Sequence, residues 1–301
     1  MSSGIAASFD VNGTIGAYEI GVLISYVLLG ITITQTYLYF TRFPDDHVVL
    51  KCLVHHSICE IAHAICIAHS LYQFTVIDYG QPDRLLNRLP LSLDTAIFFS
   101  ALIEQAVLGF FSFRIYTLSE NLSIPLLIVS VTTIRLIAAM VTFGVTLNLP
   151  SLASYTAHWG WLSIMQWSLG VANDFLTTGS LVYLLHTQRA GMRKRTVAVM
   201  DKVILWSVET GLLTSASSIF MLVFYLTMSH RLIWLAVFVI VSRMYSNTLL
   251  ANLNSRGILR SMNDPRDVSL SNIPETIETL QTGDDKLSSS APRHPFAIHD
   301  R

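Results

Sequence analysis

An all-α integral membrane bundle of seven transmembrane helices is the fold class this sequence predicts, and three observations predict it. Seven apolar stretches fill most of residues 14–253, each as long as the roughly 20 residues a helix needs to cross a hydrocarbon core. They lack the strict alternation of barrel strands, the other way to span a bilayer with every backbone group satisfied. Composition agrees: 52% of residues are hydrophobic and 13% charged, with a mean hydropathy of +0.52, whereas soluble domains carry roughly 25% charged residues. The net charge of −1 removes any electrostatic basis for nucleic acid as a partner.

The predicted spans run over 14–40, 48–76, 94–118, 124–147, 158–187, 203–228 and 232–253. The first ends at Phe43-Pro44-Asp45-Asp46, the second at Tyr79-Gly80-Gln81-Pro82-Asp83 and the fourth at Leu149-Pro150-Ser151, where Pro and Gly break the helix. Pro125 falls in the first turn of the fourth span, where proline is tolerated. Ahead of the spans, the segment 1–13 is short, contains no Lys or Arg and does not read as a cleaved signal peptide. Behind them, 254–301 turns to Ser, Asp, Pro and Arg and reads as a disordered cytoplasmic tail.

Basic residues orient the bundle. With the N-terminus outside, Arg42, Lys51, Arg114, Arg189, Arg193, Lys194, Arg195, Lys202, Arg256, Arg260 and Arg266 are cytoplasmic, and only Arg84, Arg88 and Arg231 are outside. Eleven against three predicts N-out and C-in, in the plasma membrane or another membrane of the secretory pathway. The sequon Asn12-Gly13-Thr14 then faces outward, which makes Asn12 a glycosylation candidate. The basic loop Arg189, Arg193, Lys194 and Arg195 is first a topology signal and second a contact for anionic lipid or a cytoplasmic partner.

Polar residues inside the spans mark candidate sites. At 100° per residue, one half of the second span carries Cys52, Cys59, Cys66, His55, His56, His63, His69 and Glu60; Leu53, Val54, Ile58, Ile61, Ala64, Ile65 and Ala68 fill the other half. One half is expected to face protein and the other lipid. His56, Glu60 and His63 form the tightest group and have the chemistry of a zinc site, but a packed inner face would gather the same residues. Counted from the cytoplasmic ends, Glu60, Glu104, Arg135, Asp174 and Arg243 all come to roughly 16 to 21 Å, near the midplane. Such a layer is either a ligand pocket or ion path, or an ion-pair network that sets helix register. On the seventh span Arg243, Ser246, Asn247 and Asn254 form a polar stripe of the kind that mediates close packing.

Several segments resemble one family. They are 34–40 (Thr34-Gln35-Thr36-Tyr37-Leu38-Tyr39-Phe40), 113–119 (Phe113-Arg114-Ile115-Tyr116-Thr117-Leu118-Ser119), 209–215 (Glu209-Thr210-Gly211-Leu212-Leu213-Thr214-Ser215) and 245–256, which opens Tyr245-Ser246-Asn247. Asp174 with the stretch 181–195 also fits. Together they resemble the domain-of-unknown-function family 6534 of mushroom-forming basidiomycete fungi, with Glu60 where an Asp is expected. The resemblance implies a seven-helix, multi-pass membrane protein and carries no activity, ligand or catalytic residue.

Comparison with receptors that couple to G proteins is weaker: Phe113 precedes Arg114 where an acid is usual, and no Asn-Pro-x-x-Tyr occurs in the seventh span. No span interior carries a lysine for a retinal Schiff base. Zinc-dependent intramembrane lipid hydrolysis has His56, Glu60 and His63 in its favour but lacks a late histidine pair. A transporter would use the midplane charges, without an inverted repeat to support it. The sequence favours a sensor or binding protein for a small lipophilic molecule, with no cofactor unless zinc.

Overall fold

The computed structural model describes residues 11–46, 57–79, 81, 90–149, 151–188, 194–228 and 231–263. Among them are seven α-helices and no strand: α1 (Ala17–Arg42), α2 (Ser57–Tyr72), α3 (Leu91–Ser119), α4 (Ser123–Asn148), α5 (Leu152–Gln188), α6 (Lys194–Thr227) and α7 (Ile233–Asn263). A π-helical turn precedes α1 at Asn12–Gly16, and another follows α2 at Gln73–Ile77. The chain divides into two compact units, Met1–Arg256, which holds the bundle, and Gly257–Arg301. Of the second unit, the described part is the end of α7 through Asn263. That helix therefore continues past the expected span end at residue 253.

Successive helices pack side by side: α1 with α2, α2 with α3, α3 with α4, α4 with α5 and α5 with α6, with α3 also touching α5. One apolar cluster joins Tyr18 of α1, Phe74 just beyond α2, Leu93 of α3, Tyr225 of α6 and Trp234 of α7. The starts of α1, α3 and α7 and the ends of α2 and α6 thus meet at one end of the bundle. A second cluster, with Tyr39, Ile115, Ile128, Leu181 and Leu250, fills the other end.

The helix α7 is the central element, since none of its described large apolar side chains is exposed. The helix α1 lies close against it at Gly21, where an added Cβ would sit 2.6 Å from the Ala236 Cα. Across the same contact, Asn247 Nδ2 donates to the Leu28 carbonyl at 3.1 Å and Asn254 Nδ2 to the Gln35 carbonyl at 2.8 Å.

Outside, the bundle is apolar. Ile20, Leu23 and Val27 on α1, Leu126, Ile134 and Ile137 on α4, and Leu212 and Phe220 on α6 are exposed, the inverse of a soluble bundle's arrangement. Among the described residues four stretches, Asn12–Arg42, Leu91–Ser119, Ser123–Asn148 and Ile233–Ser255, are long and apolar enough to cross a membrane. These features describe a helical membrane protein. Of the other three helices, α2 is described from Ser57, α5 carries Asn173, Asp174, Thr177 and Thr178 within its length, and α6 has an apolar stretch at Gly211–Thr227.

Candidate functional site

The charged layer lies where the two apolar clusters meet. On α2, Cys59 packs with one cluster and Ile67 with the other, and Glu60 and His63 lie between; on α7, Val239 and Tyr245 similarly bracket Arg243. Arg243 and Tyr245 are two residues apart on a helix, about 200° around the axis, so they serve opposite sides of α7.

Arg243 faces α1 and α2. Its guanidinium pairs with the Glu60 carboxylate, donates from Nη1 to the Glu60 carbonyl at 3.0 Å and from Nε to Ser25 Oγ at 3.3 Å. Ser246 donates to the other Glu60 oxygen. Both charges are fully enclosed, Glu60 at 0% and Arg243 at 1% exposure. A buried pair of this kind is tolerated only because its partners are complete. Nearby, His63 Nε2 lies 2.9 Å from Ser100 Oγ.

Tyr245 faces the other way, toward α3, α4 and α5. Its hydroxyl sits 2.8 and 2.9 Å from the two Asp174 carboxylate oxygens. Arg135 of α4 pairs with Glu104 of α3 and donates from Nε to the Gln166 carbonyl at 2.8 Å. Gly170 makes room for it, since a Cβ there would lie 2.7 Å from Arg135 Nη2. Asn173 Nδ2 donates to Thr132 Oγ1 at 2.9 Å, and Gln166 Nε2 to Thr142 Oγ1 at 3.1 Å, tying α5 to α4.

Above the Glu104–Arg135 pair is a cavity of about 100 Å³ bounded by α3 to α7. Glu104, Arg135 and Tyr245 form its floor, and Trp167, Met221, Tyr225, Trp234 and Phe238 supply apolar wall. Asp94 lines it ten residues before Glu104 on α3, about 15 Å along the axis. Trp167, Tyr225 and Trp234 pack on one another, with centroids 4.8 Å apart for Trp167–Tyr225 and 5.5 Å for Tyr225–Trp234. Two buried polar groups on the wall, Trp234 Nε1 and Ser242 Oγ, have no hydrogen-bond partner among the described residues.

The expected site residues thus fall into two groups. Glu104, Arg135 and Asp174 gather around the cavity floor and Tyr245, while Glu60 and Arg243 form a separate closed pair. His56 lies outside the described residues, as do Arg189 and Arg193; Lys194 and Arg195 begin α6. Among the described residues no three of His, Cys, Asp and Glu are grouped to hold a metal ion. Asn12 is exposed at the start of its π-helical turn.

The inward half of α2 departs from expectation at two residues. His69 is exposed, with Nδ1 2.9 Å from Ser92 Oγ, while Ala64 is buried because Tyr26 of α1 covers it and donates to its carbonyl at 3.0 Å. The sequence did not single out Tyr245, Trp167, Tyr225 or Trp234 as site residues; Tyr225 and Trp234 lie near span ends, where aromatics also mark the membrane interface. For Tyr245 a signal existed: it lies beside the polar stripe of α7 at the depth of Asp174.

Fold and site together define a helical membrane protein with a charged floor beneath a largely apolar cavity. Residues 170–258, from the middle of α5 into α7, match a family of unknown function (DUF6534). That stretch contains Asp174, 181–195, 209–215 and 245–256, the later segments on which the resemblance was read. No curated protein and no solved structure matches the chain.

Proposed function

We propose that the protein crosses the membrane seven times, N-terminus outside, and acts as a sensor or binding protein for a small lipophilic molecule held in the cavity above Glu104 and Arg135. The observation that carries this is the cavity itself, walled by Trp167, Met221, Tyr225, Trp234 and Phe238 and floored by an ion pair. Ligand sites combine such apolar lining with a few placed polar groups. Trp234 Nε1 offers a hydrogen to an acceptor on the ligand, and Ser242 Oγ can donate or accept. Seven spans are supported by the meeting of the starts of α1, α3 and α7 with the ends of α2 and α6 in one cluster. The N-out orientation rests on the eleven-to-three bias of basic residues.

Binding is favoured over zinc hydrolysis because Glu60 is already engaged by Arg243 and Ser246, and His63 by Ser100. The stretch Arg189 to Arg195 serves as the contact for anionic lipid or a cytoplasmic partner in this scheme. Small molecules extracted from the purified wild type and from Ala139→Trp, which fills the cavity from α4, provide the test. Mass spectrometry is expected to find a species retained by the wild type and missing from the variant. Identical extracts from two equally well-folded proteins would count against the proposal.

A further inference from the structure

Asp174 is the acid that the layer's arginines leave over. Glu60 takes Arg243, and Glu104 takes Arg135, whose Nε is also given to the Gln166 carbonyl. Asp174 is 3% exposed, its carboxylate accepts from the Tyr245 hydroxyl, and the Thr214 hydroxyl is within hydrogen-bonding reach of it. An ionised carboxylate enclosed between helices needs a positive partner.

Beside it is a second, smaller cavity of about 30 Å³, bounded by α3, α5, α6 and α7. That is room for an ion and at most a water or two, a water needing roughly 10 to 15 Å³ on this measure. Its polar lining is the Asp174 carboxylate with the hydroxyls of Thr177, Thr178, Thr214, Tyr245 and Thr248; Leu108, Phe111 and Leu181 close it. Among the described residues its lining has no second acid and no base.

Thr177 is the independent sign of a missing ligand. Helical threonines elsewhere in the bundle return their hydroxyls to the carbonyl four residues back, as Thr32, Thr132 and Thr142 do. Thr177 is 5% exposed, and its Oγ1 has no partner among the described residues. Thr214 donates to the Gly211 carbonyl at 3.1 Å and Tyr245 donates to Asp174, which leaves lone pairs on both oxygens for a cation. We propose that this cavity is a monovalent-cation site, taken by Na⁺, with Asp174 supplying the charge and Thr177, Thr214 and Tyr245 supplying hydroxyl oxygens. A single carboxylate neutralises one positive charge, and hard oxygen ligands suit an alkali cation, whereas divalent sites recruit several carboxylates. Tyr245 lines both cavities, so cation and small molecule press on the same side chain.

The test uses the full chain purified in detergent and ²²Na⁺ as the probe, with thermal stability in NaCl compared with N-methylglucamine chloride at equal ionic strength. The wild type is expected to bind about one Na⁺ per chain, and to melt roughly 3 to 6 °C higher when Na⁺ is near tenfold its dissociation constant. Asp174→Asn is expected to lose both effects while eluting as a single folded species, and Thr177→Val to weaken Na⁺ binding about tenfold or more. Absence of saturable Na⁺ binding in the wild type would overturn the proposal, as would full binding in Asp174→Asn. A wild type that ignores Na⁺ but stabilises as pH falls would assign a proton instead. Should Asp174→Asn fail to fold, a Thr177→Val, Thr214→Val double variant with unchanged Na⁺ affinity would refute the site equally.

Discussion

Replacing Arg243 by Met should strip Glu60 of its counter-ion while leaving the carboxylate sealed in the protein. The guanidinium makes the Glu60 ion pair and hydrogen bonds to the Glu60 carbonyl and Ser25 Oγ, all at 1% exposure. After substitution, the described contact left on the carboxylate is the Ser246 hydroxyl. Breaking a buried pair by removing one partner costs about 3 to 5 kcal/mol, because an uncompensated charge stays behind. Folded proteins have only about 5 to 15 kcal/mol in hand, so Arg243→Met should greatly reduce the folded protein recovered from membranes. Glu60→Leu in the same chain removes the stranded charge, and the double variant should regain at least about 2 kcal/mol of that loss. The assay is a double-mutant cycle on unfolding in mixed micelles, with size-exclusion recovery as a parallel readout. Single-variant losses that simply add, to within about 0.5 kcal/mol, would refute the pairing.

Further outcomes follow from the packing and from the bias of basic residues. Gly21→Ala should destabilise by about 1 to 3 kcal/mol, since its Cβ would lie 2.6 Å from backbone of Ala236 that cannot swing away; Gly30→Ala, with nothing within 4 Å, should be neutral or stabilising by up to about 1 kcal/mol in the same thermal assay. Gly170→Ala should displace Arg135, 2.7 Å from the new Cβ, and weaken retention of the small molecule in the extraction experiment more than it lowers the melting temperature. Glu120 closes α3 with φ at 52°, so Glu120→Gly should raise unfolding free energy by up to about 1 kcal/mol. A fluorescent protein fused after Arg301 should stay shielded from external protease in sealed cells, while an epitope before Met1 should be cleaved.

The sequence made the helices legible because an apolar run long enough to cross a bilayer has few other uses. The depth count likewise placed Glu60, Glu104, Arg135, Asp174 and Arg243 at a common level, since rise per residue is nearly constant along a helix. Pairing was not legible. Whether Glu60 meets Arg243 or Arg135 depends on which helices are neighbours, and α7 could not be known as the central helix from its own residues. The same limit explains Ala64: its burial comes from Tyr26 on a different helix. Asp174 stood out as a midplane acid, but its small hydroxyl-lined cavity needed Gly211 and Thr214 of α6 to be placed beside it.

The cavity between Arg135 and Trp234 is proposed to hold a small molecule. An experimental density map of the protein, purified gently from its own membrane with no ligand added, tests it most directly. Continuous density of non-protein shape, reaching from Trp234 Nε1 toward the Glu104–Arg135 pair, is the predicted result. A cavity closed by Trp167, Met221 and Phe238 packed into its centre, with no space for a ligand, would contradict it.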